Sequence, residues 1–275
     1  FMRILYVTDL HGHKWKYEAC WNIIKNYQPE VVINGGDMLP KGGDNLAWQG
    51  EFIRDYLDYY FERFNSDAIY YLCYLGNDDL RVLDRLFDEI CNKYPFVHNL
   101  AQRRIEIDNY EFIGMNFVVD YEFQLKDRCR MDTKDHVFGM QLGTPVVSTP
   151  NGWQEIQDWF SYARSLPTIE DELKQLPKPE AMSNTIYVIH MPPHMEGLDI
   201  PHHGRDVGSK AVYDFILENQ PKLSLHGHIH ESPEMTGRWF TRIGNTISIQ
   251  PGQPKNAFIY VEIDLLEMKF KRARI

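Results

Sequence analysis

Seven side chains in this 275-residue chain are suited to gripping a transition metal: Asp9, His11, Asp37, Asn77, His190, His228 and His230. Carboxylate and imidazole donors in one set favour Mn, Fe, Zn or Ni over Ca or Mg, which prefer shells of oxygen alone. Residues one apart in a loop, such as Asp9 and His11 or His228 and His230, can turn their side chains to the same side. A carboxylate can bridge two cations, and Asp37, in a turn beside Gly35 and Gly36, is placed to do so. Two cations about 3.5–4 Å apart would share a hydroxide and clamp the oxygens of a phosphoryl group for in-line attack.

Every one of these donors stands at or just beyond the end of an apolar run. Arg3–Thr8 leads straight into Asp9-Leu-His-Gly-His13, Val31–Ile33 into Asn34-Gly-Gly-Asp37, and Ala68–Leu75 into Gly76-Asn-Asp-Asp79. Between and after these strands come helical stripes: Cys20, Ile23, Ile24 and Tyr27; then Ile53, Tyr56, Leu57 and Tyr60; then Leu83, Leu86, Phe87 and Ile90. Three repeats of strand, polar loop and helix predict parallel strands joined by crossover helices. The three loops then share the sheet edge where ligands collect in such folds. After Pro95, Arg104–Ile107 and Tyr110–Val118 read as consecutive strands around Asp108-Asn109. Thr185–Ile189 and Leu223–Leu225 resume the core and end in His190 and in His226-Gly-His-Ile-His230. Thr246–Ile249, Phe258–Ile263 and Met268–Phe270 alternate like strands of a second sheet. Residues 119–184 break the regularity, with helices expected over Gln154–Ser165 and Ile169–Leu176. So long a stretch in a compact domain reads as a lid or a partner surface. A single domain over 2–275 carrying this insertion is expected.

The formal charge of -10 disfavours a nucleic-acid track, as does the lack of basic residues interleaved with aromatics, so a small phosphoester is the expected partner. The four cysteines, Cys20, Cys73, Cys91 and Cys129, show no Cys-x-x-Cys spacing and read as reduced, mostly buried thiols. Arg3 opens directly into a strand, leaving no room for a secretory signal, and no run approaches the ~20 apolar residues that cross a bilayer. A cytoplasmic protein with no membrane partner is expected, and a homo-oligomer is left open.

The blocks resemble those of the calcineurin-like metallophosphoesterases over nearly the whole chain. Asp9-Leu-His11 is similar to the family's D-x-H, Gly36-Asp37 to its G-D, and Gly76-Asn77 to the start of its G-N-H-[DE]. His190 and Gly227-His-Ile-His230 are similar to its last two blocks. The resemblance implies Asp9, His11, Asp37 and His230 on one metal and Asp37, Asn77, His190 and His228 on the other, with Mn favoured. It also implies an α/β fold of four layers, α/β/β/α, with two mixed sheets facing each other between helices. The stretch from His190-Met-Pro-Pro-His194 through Gly204–Ser209 to Glu231 resembles a largely uncharacterised bacterial and archaeal branch. Gln250-Pro-Gly252 resembles the late N-P-G loop, with Gln in place of Asn.

One position departs from the pattern: Asp78 stands where most hydrolytic members have a His that contacts phosphate and assists the leaving group. An ordinary carboxyl, pKa ~3.9, is ionised at neutral pH and would donate no proton. The plainer reading is that Asp78 or Asp79 caps a helix beginning near Leu80. The alternatives are an Asp78 tuned by its surroundings, or an acid supplied by His194, His202 or His203. Because a dianionic monoester is repelled more strongly by Asp78, a phosphodiester is expected over a monoester. A nuclease of the same superfamily and a metal-bearing scaffold with little turnover stand as alternatives. Other residues have blander readings: His226 as a packing or ligand-orienting residue, His98 and His136 outside the chemistry, and Tyr56, Tyr59, Tyr60, Phe61 and Phe64 as helix packing. The pairs Gly35-Gly36 and Gly42-Gly43 are read as tight turns. His13, Arg205 and Lys210 are candidates for substrate contact.

Overall fold

Apolar runs that are β-branched and flanked by polar loops become strands buried on both faces. In the computed structural model, which describes residues 2–42 and 45–275, β1 (Arg3–Val7), β2 (Val31–Asn34), β3 (Tyr70–Cys73) and β4 (Val97–Asn99) lie side by side and parallel. Gly43 of the Gly42-Gly43 pair lies outside the described residues. The crossovers are α1 (Lys14–Tyr27), then α2 (Asn45–Glu51) running through a π-helical turn at Phe52–Leu57 into α3 (Asp58–Ser66), then α4 (Asp84–Cys91). Their apolar stripes pack on one face of this sheet through Tyr17, Ile24, Tyr60, Phe64 and Phe87. Full burial of such a side chain contributes about 1.5–3 kcal/mol.

The chain then builds a second sheet. β5 (Arg104–Ile107) and β6 (Tyr110–Met115) form the expected hairpin, with Asp108 in its turn at φ +54°. The insertion follows: β7 (Val118–Val119) paired with β8 (Cys129–Arg130), the hairpin β9 (Val146–Thr149) and β10 (Gly152–Glu155), and helices α5 (Trp159–Arg164) and α6 (Ile169–Gln175). β11 (Thr185–Ile189), α7 (Lys210–Asn219), β12 (Leu223–Leu225), the short α8 (Ser232–Thr236), β13 (Phe240–Ile243) and β14 (Thr246–Ile249) complete it. The order across this sheet is β13-β14-β12-β11-β6-β5. Ile4, Tyr6, Ile33 and Leu72 of the first sheet meet Ile186, Val188, Leu225 and Ile249 of the second in the central core. Helices α5, α6 and α7 cover the outer face of the second sheet. The result is the expected four-layer α/β/β/α sandwich of two mixed sheets.

Two expectations need correction. The tail does not stay in the second sheet: β15 (Ile259–Asp264) and β16 (Lys269–Arg274) extend the first, giving the order β16-β15-β1-β2-β3-β4. β15 joins β1 antiparallel, and its alternating apolar residues fill both faces there. The helix expected from Gln154 begins only at Trp159. Gln154 and Glu155 belong to the β9-β10 hairpin, and Asp158 accepts a hydrogen bond from the Ser161 N–H at 3.0 Å, which starts the helix.

The insertion is held together internally by buried charge pairs. Lys126, whose side chain is fully buried, donates to Asp120 Oδ1 at 2.8 Å and to the Tyr121 carbonyl, with the Tyr121 and Trp159 rings against it. Arg130 donates to Glu172 Oε1 at 2.9 Å, tying β8 to α6. Removing one member of a buried pair strands the other. Lys126→Ala should therefore lower unfolding stability by about 3–5 kcal/mol in urea denaturation. A loss under about 1 kcal/mol would show that Asp120 is satisfied without it.

Candidate metal centre

The loops after β1, β2, β3, β11 and β12 converge over one end of the central core, and their geometry is unusual. Asp9, His11, Asp37 and His228 all have positive φ, at +55°, +46°, +51° and +68°. Residues with a Cβ avoid this region, at a cost on the order of 1–3 kcal/mol each when the surroundings hold them there. Four of the seven predicted donors are strained in this way. Glycine is required where the loops touch: a Cβ on Gly76 would stand 2.3 Å from Asp37 N, and one on Gly227 would stand 2.2 Å from Thr8 Oγ1.

The seven donors are brought together. Asp9 is fully buried, accepting from Thr8 Oγ1 at 2.8 Å and from the His228 N–H at 3.1 Å. Asp37 Oδ2 lies 3.5 Å from His190 Nε2, and Asp37 Oδ1 accepts from the Asp78 N–H at 2.9 Å. Asn77 Oδ1 is 2.9 Å from His190 Nε2 and 2.7 Å from His228 Nδ1. The rings of His11 and His230 meet edge-on, with centroids 5.8 Å apart. Potential ligand atoms of Asp9, Asp37 and His190 lie within 4.8 Å of one another, as do those of His11, Asp37 and Asp78, so Asp37 is common to both groups.

The donor set fits metal ions. Both ring nitrogens of His11 are buried and make no hydrogen bond among the described residues, and burial lowers the ring's pKa well below normal, so the neutral ring has one nitrogen lone pair to ligate with. The carbonyl of Gly35 is 2.7 Å from His190 Nδ1 and fixes the proton there, which directs Nε2 inward. Glu231 Oε2, 3.2 Å from His230 Nδ1, does the same for His230.

Charge follows from burial. Burial raises the pKa of Asp9, with neighbouring Asp37 adding to the rise. His190 is pushed up to about 9: burial works against the charge, but Asp37 and Asp9 outweigh it. Burial and the charge on His190 push His228 down to about 3.

Asp78 corrects the sequence argument in two ways. Burial and the Asp37 carboxylate push it up to about 8, against the pull of Lys41, which is ion-paired to it, so it is not an ordinary surface carboxyl. Nor does it cap a helix, and neither does Asp79. Leu80 occupies the cap position without a side-chain bond, and Asp79 instead accepts from Met38 N, Leu39 N and Gly76 N at 2.9, 2.8 and 2.7 Å.

A cleft of about 790 Å³ opens over the donors. Asn77, His228 and His230 form its floor, Val119, Tyr121 and Phe123 one wall, and Pro201, His202 and His203 another. His194 is not in this lining; its Nδ1 is turned to the buried Asp199 Oδ2 at 3.3 Å. Arg205 and Lys210 are also outside the lining, and Lys210 is paired with Asp214. Of the insertion, residues 119–125 reach the cleft while α5 and α6 pack away from it.

The profile of the calcineurin-like phosphoesterases matches residues 2–232. The chain belongs to this family. One solved structure aligns with 99% of this chain and 98% of its own at 16% identity and a TM-score of 0.63. That of the Thermus thermophilus protein TT1561 aligns over the same shares at 16% identity and a TM-score of 0.59. At such identity the likeness is one of fold. No curated protein matches the chain significantly. Family membership makes the chain a metal-dependent phosphoester hydrolase, and the cluster supplies candidate ligands.

Three supporting residues complete the centre: Arg128 carries no sequence signal of its own, whereas Gln250 stands in the late-loop block and His226 has the ligand-orienting position. Arg128 Nε donates to the Gly76 carbonyl at 2.8 Å, and its guanidinium also pairs with Asp84. Gln250 Nε2 donates to the carbonyls of Gly227 and Ile229, both at 2.8 Å, so this Gln clamps the His228 loop from either side. His226, lowered to about 4 by burial, holds the carbonyls of Ile189 and Met191 on either side of His190, at 2.9 and 3.0 Å.

A pH dependence follows. With metal removed by chelator, His190 keeps a proton up to about pH 9, whereas in the unfolded chain it is released above about pH 6.5. A raised folded-state pKa stabilises below the unfolded value and is lost as pH climbs through the folded one. Chelator-treated protein should therefore lose stability, on the order of 3 kcal/mol, between about pH 6.5 and 9. Metal-saturated protein should not, since a bound metal ion would occupy the His190 lone pair in place of the proton. Equal thermal melting profiles with and without chelator would refute the linkage.

Proposed function

We propose that the chain is a dinuclear-metal phosphodiesterase acting on small substrates, with Mn as the favoured metal. Asp9, His11, Asp37 and His230 would hold one ion and Asp37, Asn77, His190 and His228 the other, with Asp37 shared. Two such ions, when bound, supply a water acidified to a nucleophile and neutralise charge on the phosphoryl oxygens. The chain's own residues orient the reaction. The Asp78 N–H holds Asp37 Oδ1, Gly35 and Glu231 fix which nitrogens face inward, and residues 119–125 line the cleft beside them.

The observation that carries the diester over the monoester is the cleft. An apolar wall of Val119, Tyr121, Phe123 and Leu125 stands directly beside the metal-binding floor, with the Tyr121 ring 5.9 Å from that of His228. A monoester has one organic group to place, whereas a diester has two, and two separate segments, 119–125 and 201–207, line the cleft besides the donors. The charge argument from Asp78 carries less weight, because Lys41 sits on that carboxylate. Wall and floor are about the size for a compact substrate, and the acidic surface supports a small molecule over nucleic acid. Four free, buried cysteines support a reducing, cytoplasmic setting.

The test compares hydrolysis of bis-p-nitrophenyl phosphate and p-nitrophenyl phosphate by Mn-reconstituted protein, with Asp37→Asn as control. Diester turnover should be the faster, and Asp37→Asn should reduce it by roughly 1,000-fold, since one carboxylate serves both ions. Faster monoester turnover would overturn the diester preference. Full metal occupancy with turnover of neither would favour the scaffold.

A further inference from the structure

An anionic substrate entering the cleft meets very little fixed positive charge. Among the described residues lining it there is a single Lys or Arg, Lys41, against Asp78, Asp120, Glu122 and Glu231. Asp120 is already engaged by Lys126 and by Trp159 Nε1. Lys41 is ion-paired with Asp78, its side chain is 46% exposed, and both residues line the cleft.

Its position is built. Gln49, fully buried, donates from Nε2 to the carbonyls of Pro40 and Asp78 at 3.1 and 3.0 Å, and its Oε1 accepts from Leu80 N at 2.9 Å. One amide thus staples the residue before Lys41 to the Asn77-Asp78 loop. Asp79 fixes the same two loops through Met38, Leu39 and Gly76. The Asp78 backbone is bonded to Asp37. The ammonium of Lys41 is therefore tethered, through Asp78, to the carboxylate shared by the two ligand groups.

We infer that Lys41, aimed by Asp78, contacts a phosphoryl oxygen of the substrate and stabilises the charge that gathers there during attack. The inference rests on the phosphodiesterase reading. It answers the departure noted at Asp78: where the family pattern has a neutral or cationic His, this chain has an Asp that recruits a cation from the neighbouring loop. Lys41 acts as a fixed charge, and no proton leaves it. Asp78 is a positioning residue.

The test uses full-length, Mn-loaded protein and two variants, Lys41→Met and Lys41→Arg. Orthophosphate is titrated in by calorimetry at constant salt, diester kinetics are measured alongside, and bound metal is quantified. Lys41→Met should weaken orthophosphate binding about 10-fold and lower kcat/KM roughly 100-fold at unchanged metal content, with Lys41→Arg recovering most of both. A half-exposed side chain is not needed for folding, and a thermal melt verifies this. Wild-type phosphate affinity in Lys41→Met would overturn the inference, as would a Lys41→Arg as impaired as Lys41→Met or a loss of metal with the charge. If the wild type turns over no diester, the phosphodiesterase reading fails, while the orthophosphate titration still decides whether Lys41 is a phosphoryl contact.

Discussion

The cleft depends on the burial of one carboxylate. Asp37 is 1% exposed, in a left-handed turn, with Asp9 also buried nearby. Two carboxylates removed from water repel each other and lose their hydration, so the fold must supply positive charge or donors around them. His190 answers in part by holding a proton, drawn by those carboxylates, well above the ordinary imidazole range. Two divalent ions would answer it fully. Asp37 is held well below the usual carboxylate range despite its burial, because the charged His190 and Lys41 stand close to it. The charge is created by the fold and is the reason a cation belongs there.

A strained, charged cluster of loops persists only if the surroundings over-determine it. Here the support is redundant. Asp79, Gln49 and Arg128 lock the loops after β2 and β3 to each other and to the insertion, while Gln250 and His226 lock those after β11 and β12. Most of these bonds run from a side chain to a backbone group far away in sequence. They hold the donor loops at hydrogen-bond precision while leaving the His11 ring without a hydrogen bond among the described residues.

This distinction explains what can be read from the sequence. The donors are legible because their chemistry is in the residue type and their placement follows from strand ends. The three crossover units are legible because period and length agree. Lys41 is not, because a lysine in a Gly-rich loop has no pattern; only the fold shows it opposite Asp78. Asp79 reads wrongly as a cap because Asp before a helix usually is one, and its loop-bridging role is a tertiary fact. Gln154 reads wrongly as helical because a hairpin and a short helix lie end to end there, with Asp158 starting the helix. The tail reads into the wrong sheet because alternation reveals a strand but not its neighbours.

The distribution of charge finally constrains what can enter. The chain carries -10 overall and offers the cleft one lysine among its described lining residues, so the long-range field repels anions while the local field at the floor, once metals are held, attracts them. Screening limits the repulsion to about 8–10 Å at ordinary ionic strength. A compact ester with one or two charges has little of itself outside the attractive zone. Lys126, pinned between Asp120 and two aromatic rings, fixes the 119–125 wall as a permanent boundary of that zone. On the proposed phosphodiesterase reading, the cleft lining and the net charge both speak for a small, singly or doubly charged substrate.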